Sequence, residues 1–156
     1  MPSTKKLLTA AAGSAGGDNL FVEDVFSTYL YEGNSTARSI NNGLDLSGEG
    51  GLVWIKNRTS SGSDDHVLYD TERGVNKYLS SISTAAENSG NTQGLMTFNN
   101  NGFSLGTDNY WNVNRTGTDI ASWTFRKAPK FFDVVTWTGD GTSGRTVSHN
   151  LGSVPG

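Results

Sequence analysis

Gly50-Gly51-Leu52-Val53-Trp54-Ile55-Lys56 and, after a polar stretch from Asn57 to Asp65, His66-Val67-Leu68-Tyr69-Asp70-Thr71 together decide the fold. Val, Ile, Leu, Trp and Tyr suit a pleated, half-buried surface, and a connector rich in Ser, Gly and Asp suits a chain reversal, so the stretch predicts a β-hairpin. Strand side chains alternate, which puts Val53 and Ile55 on one face and Leu52, Trp54 and Lys56 on the other. Both faces carry apolar groups. The strand is therefore expected inside a two-layer structure rather than at its edge.

Working outward, the same patterns recur. Asn19 to Tyr31 reads as a strand, with room for a helical turn, that ends at Glu32-Gly33-Asn34. Arg38-Ser39-Ile40 is a short strand closed by the turn dipeptide Asn42-Gly43, and Leu44 and Leu46 then share a face. Val75 to Ile82 follows the turn at Glu72-Arg73-Gly74. Gly94 to Phe98 and Phe103 to Gly106 flank Asn99-Asn100-Asn101-Gly102, the clearest local hairpin signal in the chain. In Asp119 to Lys127 the parity of Ala121, Trp123, Phe125 and Lys127 reads as core-facing, and Phe131 to Trp137 reads as one more strand after Pro129. Trp54, Trp123, Phe125 and Phe103 are the expected core aromatics. The fold class that follows is all-β, an antiparallel sandwich.

Composition agrees. The 156 residues include 20 Gly, 34% hydrophobic and 17% charged residues, a profile of short strands and many turns. No cysteine is present, which leaves neither a disulfide framework nor a thiolate metal site. Twelve basic against 15 acidic residues give a net charge of -3, with no field to gather nucleic acid or anionic membrane. Lys5-Lys6, Leu7-Leu8 and Ala10-Ala11-Ala12 imitate a secretory signal faintly, but Thr9 and Gly13 break the apolar run below the ~7–15 residues required. No run has the length of a membrane span. Three parts are expected: an extended N-terminal arm over 1–18, a sandwich over 19–137, and a segment over 138–156.

The third part carries an internal echo. Arg38-Ser39-Ile40-Asn41-Asn42-Gly43-Leu44 is matched by Arg145-Thr146-Val147-Ser148-His149-Asn150-Leu151. A second repeat that breaks off before its main strand suggests a truncated copy or a linker, within a longer protein.

Catalytic signals are weak. His66 lies beside Asp64 and Asp65, yet neighbouring strand residues point to opposite faces and do not readily share an ion, so a loop-edge structural role is preferred. His149 reads as a turn residue. No serine sits in a nucleophile elbow. Asp133, Asp140, Glu23 and Glu32 are the acids from which a glycosidase pair would have to come. No catalytic residue, metal ligand or cofactor is assigned. Asn34, Asn57 and Asn114 begin Asn-x-Ser/Thr triplets of the kind chance produces in an Asn/Thr-rich chain. Tyr110 and Trp111, beside Asn109, Asn112 and Asn114, present rings and amides that fit a sugar, against the plainer role of capping one end of the sandwich. Tyr110, Trp111 and Asn112 are the candidate glycan contacts.

A family resemblance adds to this. Trp54-Ile55-Lys56-Asn57-Arg58, His66 through Gly74, Leu79-Ser80-Ser81, Thr84-Ala85-Ala86-Glu87, Phe98, Gly102-Phe103-Ser104-Leu105-Gly106, Asn114 and Ala121-Ser122-Trp123 stand in an ordered series. The series resembles a repeat module of tail-fibre-like and other structural proteins of tailed bacteriophages, notably those of marine and cyanobacterial hosts, and covers the chain from Arg38 onward. The resemblance implies a concanavalin-like or laminin-G-like jelly roll and supplies no catalytic residues. It implies a virion structural protein, most simply the particle-anchoring part of a tail fibre or appendage. The partners expected are tail or portal-proximal subunits, further copies of the chain (a trimer among the candidate states) and a host surface glycan, with no nucleic acid and no membrane insertion. The location expected is the virion, assembled in the host cytoplasm. Lys5, Lys6, Leu7 and Leu8 are the expected anchor of the arm, a compact basic and apolar group that a groove with apolar walls and an acidic rim would hold. The alternatives are a carbohydrate-binding receptor module, a capsid decoration protein and a polysaccharide depolymerase fragment.

Overall fold

The computed structural model describes residues 20–59, 66–90, 92–107 and 113–155. Among the described residues, a helical turn, α1 (Val22–Val25), leads into nine strands: β1 (Phe26–Glu32), β2 (Arg38–Asn41), β3 (Gly51–Asn57), β4 (Val67–Asp70), β5 (Lys77–Ser80), β6 (Asn88–Ser89), β7 (Leu95–Asn99), β8 (Gly102–Leu105) and β9 (Asp119–Arg126). They form two antiparallel sheets, a larger one in the order β1-β9-β3-β4-β5-β6 and a smaller one in the order β2-β8-β7. The fold is all-β.

One buried cluster joins the sheets. Ile40, Leu95, Phe103 and Leu105 of the smaller sheet meet Tyr31, Val53, Ile55, Val67, Tyr69, Tyr78 and Ile120 of the larger one. Leu44 and Leu46, which precede β3, are 0% and 1% exposed. The β3-β4 hairpin forms as the sequence predicts, with Val53 opposite Tyr69 and Ile55 opposite Val67. β3 is interior, flanked by β9 and β4. The second hairpin also forms, with Phe98 opposite Phe103. Gly102 has a positive φ of 131° in that turn, and a Cβ there would collide with the Ile40 carbonyl of β2, so two constraints require glycine.

Two expectations are corrected. β9 turns the opposite way from its hydrophobic reading: Ile120, Ser122 and Thr124 are fully buried and face the core, whereas Trp123 and Phe125 are half-buried on the outer face. Trp54, directly opposite Trp123, goes outward with it; of the four expected core aromatics, Phe103 alone is buried, at 0% exposure. The reason is space and partners. Tyr29, Tyr31, Tyr69 and Phe103 already fill the interior, leaving room on β9 for small side chains, and their hydroxyls are satisfied there. Thr124 Oγ1 accepts from Asn42 Nδ2 at 2.8 Å, and Ser122 Oγ donates to the Tyr29 carbonyl.

The second correction concerns Phe131 to Trp137, which joins neither sheet; the Ala128–Phe132 bridge is its sole ladder contact among the described residues. Side-chain anchors hold it instead. Arg145 to Leu151, the echo of the β2 region, is likewise without strand structure.

Candidate functional site

The outer face of the larger sheet is lined with rings. Trp54 and Trp123 lie 5.7 Å apart between centroids and are tilted by 60°, and Trp54 Nε1 donates to His66 Nδ1 at 2.8 Å. Nδ1 is thereby the acceptor, which places the proton of the neutral imidazole on Nε2. Further along, Phe26, Phe125 and Phe132 form a run of tilted contacts at 5.0 and 5.3 Å. His66 is thus a structural residue of β4's entrance, as expected.

The turn after β4 is tightly built. Asp70, 1% exposed, accepts from the amides of Glu72 and Arg73 at 3.1 and 2.9 Å and pairs with the Arg73 guanidinium. Thr71 returns to β3, its amide on the Gly51 carbonyl and its Oγ1 accepting from the Gly51 amide. This rigid turn carries Glu72 and Arg73 to the wall of a groove of about 360 Å³ completed by Lys77, Glu87, Val135, Thr136 and Trp137. Glu87 pairs with Arg73 at 3.5 Å and Lys77 at 3.2 Å. Trp137 stands at its edge, 62% exposed.

What brings Trp137 there is Asp133. Its carboxylate accepts from the Asn150 and Val134 amides at 2.7 and 2.9 Å and faces Lys127 Nζ at 3.4 Å. Burial would raise its pKa, but the Asn150 hydrogen bond and the Lys127 ammonium outweigh burial and hold the carboxyl below the ordinary value. Lys127 Nζ also reaches Glu72 at 2.6 Å, and that hydrogen bond, ahead of burial, raises the lysine above its usual value. One ammonium therefore ties the β4-β5 turn to the C-terminal segment. An exposed indole beside fixed carboxylates and cations can stack on a ring and hydrogen-bond its hydroxyls.

The sequence-predicted site residues fare differently. Lys5, Lys6, Leu7 and Leu8, and likewise Tyr110, Trp111 and Asn112, lie outside the described residues. Asn114 is 0% exposed and fully engaged: Oδ1 accepts from the Asn34 amide, and Nδ2 donates to the carbonyls of Thr36 and Gly106 at 2.8 and 2.7 Å. It pins three loops together and is unavailable to a sugar. Asn57, 1% exposed, is equally inaccessible as a glycan acceptor. Among the candidate acids, Asp133 is engaged with Lys127 and Asp140 pairs with Arg145 at 3.2 Å. His149 Nδ1 accepts from the Leu151 amide, the turn role expected of it. The Trp137 groove was not foreseen, because Val134-Val135-Thr136-Trp137 looks like an ordinary strand when read locally.

Two antiparallel sheets around one core, with an aromatic outer face and a groove built from turns, define an all-β sandwich domain. Its family model matches over residues 22–156, so the chain belongs to the family described as a domain of unknown function, DUF7483. No curated protein and no solved structure matches it.

Proposed function

We propose that the chain is a structural protein of a tailed-bacteriophage virion, the particle-anchoring part of a tail fibre or appendage. The observation that carries this reading is the use to which the residues of the resemblance are put. Trp54 and His66 bond to each other, Asp70 and Arg73 close a turn, Phe103 fills the core, Asn114 fastens three loops and Trp123 covers the sheet. A module whose characteristic side chains are committed to its own scaffold suits a building block repeated along an appendage. In this reading the sandwich has the finer concanavalin- or laminin-G-like form, and Lys5 to Leu8 anchor it to tail or portal-proximal subunits.

The test is to follow the protein through particle purification. It should copurify with virions at a fixed ratio to the major structural proteins, and deletion of Met1 to Asp18 should leave a folded domain missing from the particles. Recovery of the intact protein solely outside particles would overturn the reading.

The second reading, host-glycan binding, is favoured by the exposed Trp137 beside Glu72, Arg73, Lys77 and Glu87. On a glycan array Trp137→Ala should then abolish binding while the melting temperature is unchanged.

A further inference from the structure

The two sheets have four edges, and three carry protection against pairing with another chain. β6 is two residues long, β7 has a register shift between Leu95 and Thr97, and β2 is a four-residue strand bearing Arg38. β1 differs. It runs seven residues, Phe-Ser-Thr-Tyr-Leu-Tyr-Glu, in unbroken register with β9, without lysine, proline or bulge. Leu30 at its middle is 62% exposed, and Leu20, Phe21 and Val22 just ahead of it are 44%, 48% and 64% exposed.

The register shows which backbone groups face outward. The Gly33 amide donates to the Thr118 carbonyl in continuation of the β1-β9 pairing. Hydrogen-bonded pairs alternate along an antiparallel ladder, so Gly33, Tyr31, Tyr29 and Ser27 turn their amides and carbonyls toward β9. Phe26, Thr28, Leu30 and Glu32 turn theirs to the open side. Two of those outward groups are already occupied: the Phe26 amide donates to the Val22 carbonyl, and the Glu32 carbonyl accepts from Arg38 Nη1 at 2.8 Å. Among the described residues, that leaves open the Phe26 carbonyl, both groups of Thr28, both groups of Leu30 and the Glu32 amide.

We propose that this edge pairs with the β1 edge of a second copy, antiparallel and two-fold symmetric about Tyr29. In that register Thr28 exchanges both hydrogen bonds with the other copy's Leu30, and Leu30 with its Thr28. The Glu32 amide donates to the other copy's Phe26 carbonyl. The one remaining pair would join the Phe26 amide to the Glu32 carbonyl, the two groups already satisfied within each chain. Each open group thus has a partner and neither closed group is asked to serve twice. A strand pairing antiparallel with itself is what an isologous dimer interface requires. The larger sheets of both copies become continuous, Leu30 is covered, and the outer aromatic faces lie on the same side. The charges also suit this occupant, since the antiparallel arrangement brings the Arg38 guanidinium, bonded to the Glu32 carbonyl at the end of one β1, toward Glu23 and Asp24 in the helical turn ahead of the other. The dimer is independent of the virion reading.

Sedimentation equilibrium on the full chain tests it, with the wild type expected to show the two-chain mass. Leu30→Pro removes an amide that the monomer does not use and places a ring on the open edge, a position where strands tolerate proline. Losing two symmetric hydrogen bonds should raise the dimer dissociation constant at least about tenfold while the circular dichroism melt is preserved. The chain has no cysteine, so a Thr28→Cys, Leu30→Cys double variant reports the register directly. Opposed residues in such a pair have Cα atoms ~5.5 Å apart, within disulfide range, and mild oxidation should yield a reducible dimer. An Ile82→Cys control, equally exposed at 62%, should not cross-link. A wild type that sediments as a monomer at every concentration, an unchanged dissociation constant for Leu30→Pro, or cross-linking no faster than the control would overturn the dimer. Should Leu30→Pro fail to fold, the cysteine variant decides alone.

Discussion

The outer faces of the two sheets differ in a way their inner faces do not. On the smaller sheet, Thr97 Oγ1 donates to Asn99 Oδ1, Asn99 Nδ2 donates to Ser104 Oγ, and Ser104 Oγ meets Ser39 Oγ, at 2.8, 2.8 and 3.0 Å. This is a hydroxyl and amide surface facing water, as expected of an antiparallel sheet with one solvated side. On the larger sheet the corresponding positions are Leu30, Leu52, Trp54, Leu68, Leu79, Trp123 and Phe125, most of them half-buried. Water alone does not account for such a face. The C-terminal segment covers part of it through Phe132 against Phe125, and the β1 edge would extend it into a second copy.

The comparison predicts a ranking of substitutions. Phe103→Ala, in the core that both sheets share, should cost about 3–5 kcal/mol in urea unfolding. Asn114→Ala leaves the Thr36 and Gly106 carbonyls and the Asn34 amide without their partner, and is expected to cost about 2–4 kcal/mol by the same measurement. Trp123→Ala on the aromatic outer face should fall below both, at about 1–3 kcal/mol, because the ring is already partly in solvent. If it proved as costly as Phe103→Ala, the outer face would have to be as well covered as the core. Ser104→Ala on the polar face should change stability by less than about 0.5 kcal/mol, its network being exposed. A larger loss would mean that the hydroxyl row organises the smaller sheet.

A pH titration sharpens the same contrast at the C-terminal segment. The Asp133 carboxyl is held below its ordinary value of 3.8, so its contribution is present above that value and is lost as pH falls through the lower, folded-state value. Trp137 fluorescence should therefore change in acid, before the β signal of the sheets does. Asp133→Asn should produce the acid-like spectrum at neutral pH. Lys127 acts with the opposite sign: its raised pKa keeps its contribution through neutrality and loses it at strongly alkaline pH.

Local sequence patterns determined much of this molecule. The all-β class, both hairpins, the sharing of one face by Val53 and Ile55, and the turns at Gly43, Glu72-Arg73-Gly74 and Gly102 follow from period-two alternation and turn chemistry, which act over a few residues. Tertiary structure alone decided which faces of β3 and β9 turn inward. Ser122 and Thr124 displaced Trp123 and Phe125 from the interior because tyrosines from other strands occupied that volume and Asn42, 82 residues from Thr124, supplied a donor. The same holds for Trp137 and Asn114, whose roles depend on Lys127, Asp133 and loops distant in sequence. Alternation shows that a strand has two faces. Which face is buried depends on the space and hydrogen-bond partners that the rest of the chain leaves to it.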